Sequence, residues 1–208
     1  YTSSDPCNSR RKVMYADLID EGYTCLRRGD AEAALNRFHK AAEEEPARPQ
    51  AHFALAIAYQ EQGMSEKVIE SLEAALRLDP DYVPARAYLG IERLKRYDIE
   101  GAEEELHRAL QIEPTNLLAH IKYAEYYYRL GFYPRAVEML EKGLRAPHGA
   151  NEHIVAMARK LLVEARQKCK GIILREPPDP RRLLRLFARL RPMPAKRKLA
   201  ASEGTTTN

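Results

Sequence analysis

Three prolines, Pro46, Pro80 and Pro114, stand 34 residues apart, and the positions upstream of them keep the same step. Small residues recur at Ala41, Ala75 and Ala109, with Gly143 in a fourth unit. Three positions earlier lies a large apolar residue: Phe38, Leu72, Leu106 and Leu140. Ala34, Val68, Ala102 and Ala136 precede these, and the small residues Gly22, Ala56, Gly90 and Ala124 lie further upstream. Gly29, Gly63 and Gly131 each separate two stretches of helical pattern. A period of this length with two helices per unit describes stacked units, none of which can bury its own apolar face.

Each recurring position has a physical reason. Small residues let the two helices of a unit approach, because a large side chain would hold their axes apart. Phe38 and its counterparts fill the space between neighbouring units, each contributing roughly 1.5–3 kcal/mol when fully buried. Glycine ends the first helix in a left-handed conformation without a Cβ penalty. Proline stops the second helix.

This order of small residue, glycine turn, two small residues flanking an aromatic or leucine, then proline resembles the tetratricopeptide repeat over about residues 15–148. The ankyrin T-P-L-H signature is absent. The resemblance implies an all-α fold, a right-handed superhelical solenoid of antiparallel helix pairs. Repeats are expected at 15–48, 49–82, 83–116 and 117–150, after an N-terminal extension 1–14. The third unit departs from the pattern, with Arg93 in a place often held by Tyr and Tyr97 in place of the turn glycine. Its inter-helix turn is expected to be less regular. In the fourth unit His148 replaces the final proline. A fifth first-type helix follows in register, N-capped by Asn151, with Ile154, Met157, Ala158 and Leu161 at core offsets. Arg159, Lys160, Glu164, Arg166, Gln167, Lys168 and Lys170 give it a polar face, so 151–172 reads as a solubilising C-terminal cap helix.

In this family the ligand groove is lined mainly by the first helix of each repeat. Carrying those offsets over implies a groove of Ile19, Tyr23, Leu26, Phe53, Ile57, Ile91, Leu94, Leu118, Ile121, Glu125 and Tyr128. Some members grip a C-terminal carboxylate with Lys, Asn and Arg. Here those offsets hold Ile19, Tyr23, Phe53, Ile57, Ala87 and Ile91, so that clamp is absent. An apolar groove has two readings: the side chains touch one another or the chain itself, or they receive an apolar or amphipathic segment of a partner. A large exposed apolar patch is unusual on a soluble monomer, so something is expected to cover it.

Charge separates the C-terminal region, residues 173–208, from the rest. From Arg175 onward nine basic residues face three acids, which leaves the body slightly negative within a chain of net charge +4. After Pro177, Pro178 and Pro180, Leu183, Leu184, Phe187 and Leu190 repeat with helical spacing, with Arg181, Arg182, Arg185 and Arg189 on or beside the other face. This basic amphipathic segment either packs on its own solenoid or docks on a partner. An anionic surface (nucleic acid, acidic protein or membrane) suits its charge.

Cys7, Cys25 and Cys169 are too scattered for a disulfide framework or a zinc site, which points to a reducing, intracellular setting, cytoplasmic or organellar. No apolar run approaches the ~18–20 residues of a membrane span. The chain opens on Tyr1, as a fragment or a processed product does. His52 and His120 share one offset in different repeats, which repetition explains better than chemistry. No phosphate-binding glycine loop or nucleophile motif is present, so no enzyme activity, cofactor, metal or small-molecule substrate is expected. The chain reads as an adaptor or scaffold binding a protein segment on a largely apolar concave groove. The alternative is a structural subunit of a large multiprotein or ribonucleoprotein assembly, anchored by its basic tail.

Overall fold

A computed structural model describes residues 6–147 and 149–170, with side chains from Met14 onward. All of these belong to the first of two units into which chain contacts divide the protein, 1–175 and 176–208. Among the described residues nine helices follow one another: α1 (Pro6–Arg27), α2 (Ala31–Glu44), α3 (Pro49–Glu61), α4 (Ser65–Leu78), α5 (Val83–Lys95), α6 (Ile99–Ile112), α7 (Leu117–Arg129), α8 (Tyr133–Arg145) and α9 (Glu152–Cys169). They pair as α1·α2, α3·α4, α5·α6 and α7·α8, and each pair packs on the next, with α9 against α7 and α8. This is the helical solenoid that the 34-residue period implies. None of these helices is long and apolar enough to cross a membrane.

The recurring positions are where the pairs touch. Phe38, Leu72, Leu106 and Leu140 have no exposed surface, and neither do Ala34, Ala41, Ala56, Ala75, Ala102, Ala109, Ala124 and Ala136. Size matters most at Gly22, where an added Cβ would lie 2.3 Å from the Phe38 ring. Polar caps set several helix starts: Asp30 accepts from the Ala33 N–H at 2.9 Å, Asp98 from Gly101 at 3.0 Å and Asn116 from Ala119 at 3.0 Å. Asn151 does the same for α9, accepting from the Ile154 N–H at 3.0 Å. His148 and residues 171–208, including the basic amphipathic segment, lie outside the described residues.

The third inter-helix turn is as regular as the others, contrary to the expectation from its missing glycine. Tyr97 takes φ 64°, beside 81° at Gly29, 72° at Gly63 and 83° at Gly131. The hydrogen bonds also keep the same geometry: Tyr97 N–H donates to Leu94 at 2.9 Å and Asp98 N–H to Arg93 at 3.0 Å, as Gly29 does to Leu26 and Asp30 to Cys25. The packing of α5 on α6 thus overrides the local preference of tyrosine. A left-handed non-glycine residue costs about 1–2 kcal/mol, and glycine returns about 0.5–1 kcal/mol of that as chain entropy. Tyr97→Gly is therefore expected to raise the thermal midpoint by about 2 °C in a calorimetric scan. A fall would show that the Tyr97 side chain contributes more than its backbone costs.

Candidate partner-binding face

The first helices of the four pairs carry the expected groove, and its two halves differ. In α1 and α3, Ile19, Tyr23, Leu26, Phe53 and Ile57 are all half-buried. Tyr23 meets the Phe38 ring edge-on at 5.2 Å, and Phe53 is held edge-on by Tyr82 and Tyr88 at 5.8 and 5.2 Å. Burial, with a further contribution from Tyr88 and Tyr15, pushes the Tyr23 hydroxyl up to about 12, so it stays a neutral donor. This half presents apolar and aromatic surface on rings whose orientation is already set.

The second half is built differently. Ile91, Leu94 and Ile121 are 2%, 8% and 3% exposed and belong to a core cluster running from α5 to α9. They were expected to line the groove. In the folded chain they are core, because α5 packs directly on α7 and seals them. Leu118, Glu125 and Tyr128 remain half-buried.

A charged array that the apolar reading missed occupies this half. Glu125 bonds Lys122 at 3.1 Å and Arg129 at 2.7 Å, and the Lys122 ammonium sits 4.0 Å above the Tyr88 ring. The nearly inaccessible carboxylate of Glu92 is paired with Lys95 at 2.5 Å. Burial by itself would raise the Glu125 pKa. The charge of Lys122 and the hydrogen bond from Arg129 outweigh it and hold the carboxyl below its usual range. The signal was available in the spacing: Lys122, Glu125 and Arg129 sit three and four apart on one helix. Tyr88 and Lys122, like Lys95 and Arg129, also share a repeat position.

Among the described residues no group of three or more His, Cys, Asp or Glu could hold a metal ion. Cys25 and Cys169 are free thiols, and burial pushes the Cys169 thiol up, away from the reactive thiolate. What the face offers is recognition by shape, aromatic contact and paired charge.

The tetratricopeptide-repeat family profile matches residues 26–89 and 93–161, more than half of the chain, so this protein belongs to the tetratricopeptide-repeat family. The mouse interferon-induced protein with tetratricopeptide repeats 3 is 30% identical over 130 residues, 61% of this chain and 32% of the relative. The chain thus spans about a third of that relative's length. Among solved structures, TTC0263, a thermophilic TPR protein of Thermus thermophilus, superposes with a TM-score of 0.61 at 20% identity, over 85% of this chain and 98% of that one. The second TPR domain of human RPAP3, in complex with the HSP70 peptide SGPTIEEVD, gives a TM-score of 0.50 at 21% identity, over 56% and 97% of the two chains. At these identities the structural likeness establishes the fold. Tetratricopeptide-repeat proteins mediate protein–protein interaction, and the fold is typically a non-enzymatic scaffold.

Proposed function

We propose that this chain is an adaptor or scaffold that holds a segment of a partner protein along the first-helix face of its repeats. The observation that carries this reading is the half-buried row of Ile19, Tyr23, Leu26, Phe53 and Ile57 on α1 and α3. The Tyr23 and Phe53 rings are already held by aromatic neighbours, so an incoming apolar segment gains contact there at little cost in side-chain order. Leu118 and Tyr128 extend the apolar surface onto α7, where the Glu125–Arg129 pair, backed by the buried Lys122, adds charge for the same segment.

The clamp offsets disfavour an acidic chaperone tail as the partner of this face. The RPAP3 domain is solved with a peptide ending in EEVD, whereas the clamp offsets here carry Ile19, Tyr23, Phe53, Ile57, Ala87 and Ile91. None of these supplies a cation or an amide donor to a carboxylate. A peptide ending in EEVD is expected to give no saturable heat in titration calorimetry. Saturable binding that persists in a Tyr23→Ala/Ile57→Glu variant would place recognition elsewhere on the solenoid.

The adaptor reading is tested on the native complex. Size-exclusion chromatography of the tagged protein, with the co-eluting chain identified, is compared with the Tyr23→Ala/Ile57→Glu variant. The expected result is loss of the partner with an unchanged helical signal and melting profile. Retention of the partner by a folded variant overturns the assignment of the face. The segment with Arg181, Arg182, Arg185 and Arg189 enters this proposal only through its charge. Removing residues 175–208 is expected to flatten the salt dependence of capture if the partner is anionic.

A further inference from the structure

One register position ties down the turns that enter repeats 3 and 4. In repeat 3 it is Arg86, which donates to the Pro80 carbonyl and to Glu105 Oε2 at 2.6 Å. In repeat 4 it is His120, 34 residues on, with Nε2 3.0 Å from the Pro114 carbonyl and Nδ1 3.2 Å from the sulfur of Met139. Met139 itself stands 34 residues beyond Glu105, so the two latches correspond residue for residue. In repeat 2 the position holds His52, which is half-buried.

The chemistry of the two latches differs. A guanidinium is charged at every pH the protein meets, and Arg86 has a carbonyl and a carboxylate to receive its donors. His120 is 1% exposed, and its Cβ lies 2.7 Å from where a Cβ on Gly143 would be, so the ring is closely confined. The Pro114 carbonyl must take the Nε2–H, which leaves Nδ1 as a lone pair facing a thioether. Protonation places a second N–H against Met139, a weak acceptor, and sets a positive charge near Lys142 of α8, the charged group that bears on it among the described residues.

We propose that the junction entering repeat 4 is an acid-labile latch while the junction entering repeat 3 is acid-resistant, so that mild acid loosens α7, α8 and α9 from the preceding repeats. Burial, before any neighbouring charge, lowers the pKa of the His120 imidazole. The open chain therefore binds a proton more readily than the closed one. Stability is complete above the ordinary histidine value near 6.5 and declines as pH falls from there toward the depressed value. Because α7 carries Leu118, Lys122, Glu125 and Tyr128, half of the partner-binding face moves with the latch.

Amide hydrogen exchange at about pH 7.5 and 5.5, corrected for the intrinsic rate, reads this directly. One pH unit below 6.5, opening of α7 and α8 is expected to rise by up to about tenfold, with α5 unchanged. His120→Arg/Met139→Glu transplants the repeat 3 latch into repeat 4. It is expected to abolish the response of α7 and to leave α5 as protected as before. An equal response in the unaltered protein and the double variant, or no response of α7 in the former, overturns the proposal. If the double variant does not fold, the NMR titration of His120 in the unaltered protein decides. A midpoint at or above about 6.5 rejects the latch, and one below it supports the latch.

Discussion

Replacing Phe38 by alanine is expected to remove about 3–5 kcal/mol from the stability of the solenoid, measured by chemical denaturation. The ring has no exposed surface and fills the space between α1, α2 and α3. It also has no room to spare. An added Cβ at Gly22 would come within 2.3–2.8 Å of three ring atoms, so Gly22→Ala is expected to cost about 1–3 kcal/mol by overpacking. Repeats 2 and 4 show the compensation, with Leu72 and Leu140 facing Ala56 and Ala124, whereas repeat 3 keeps a glycine, Gly90, against Leu106. Gly22→Ala combined with Phe38→Leu recreates that pairing and is expected to restore most of the loss. If the double variant is no more stable than the sum of the single ones, the two positions do not share one packing volume.

The second large effect concerns Glu105. Its carboxylate lies 2.6 Å from Arg86 and 3.3 Å from Arg93, both of α5, and only 12% of its side chain is exposed. Glu105→Leu leaves two guanidiniums facing each other with their shared partner gone. Removing one member of a buried charged group costs about 3–5 kcal/mol, and the result here is expected near the lower end because Arg93 is partly solvated. Raising the salt concentration is expected to change the wild-type stability little, since the cluster is shielded from mobile ions. A loss below about 0.5 kcal/mol on Glu105→Leu would reduce the cluster to an ordinary surface ion pair.

Glu105 also explains a departure that the sequence presents without its remedy. Arg93 stands where related repeats often carry an aromatic residue, and nothing adjacent to it in the chain accounts for a cation there. The partner is twelve residues away on the next helix, chosen by the α5·α6 packing. Lys122 is a parallel case: its neighbour Glu125 is legible from helical spacing, but the Tyr88 ring beneath it is a tertiary fact.

The 34-residue step by itself determined the helix pairs, the small and large positions that bring them together, and the family. These follow from periodicity because each repeat makes the same contacts with its neighbours, so the pattern is written once per turn of the solenoid. Only the tertiary structure decided which first-helix residues stay accessible. Ile19, Tyr23, Phe53 and Ile57 stay half-open, whereas Ile91, Leu94 and Ile121 are sealed between α5, α7 and their neighbours. It also held Tyr97 in a glycine conformation and gave His120 a carbonyl and a thioether as its partners. In each case the reason is the same: local preference is worth about a kilocalorie, and the packing of whole helices outweighs it.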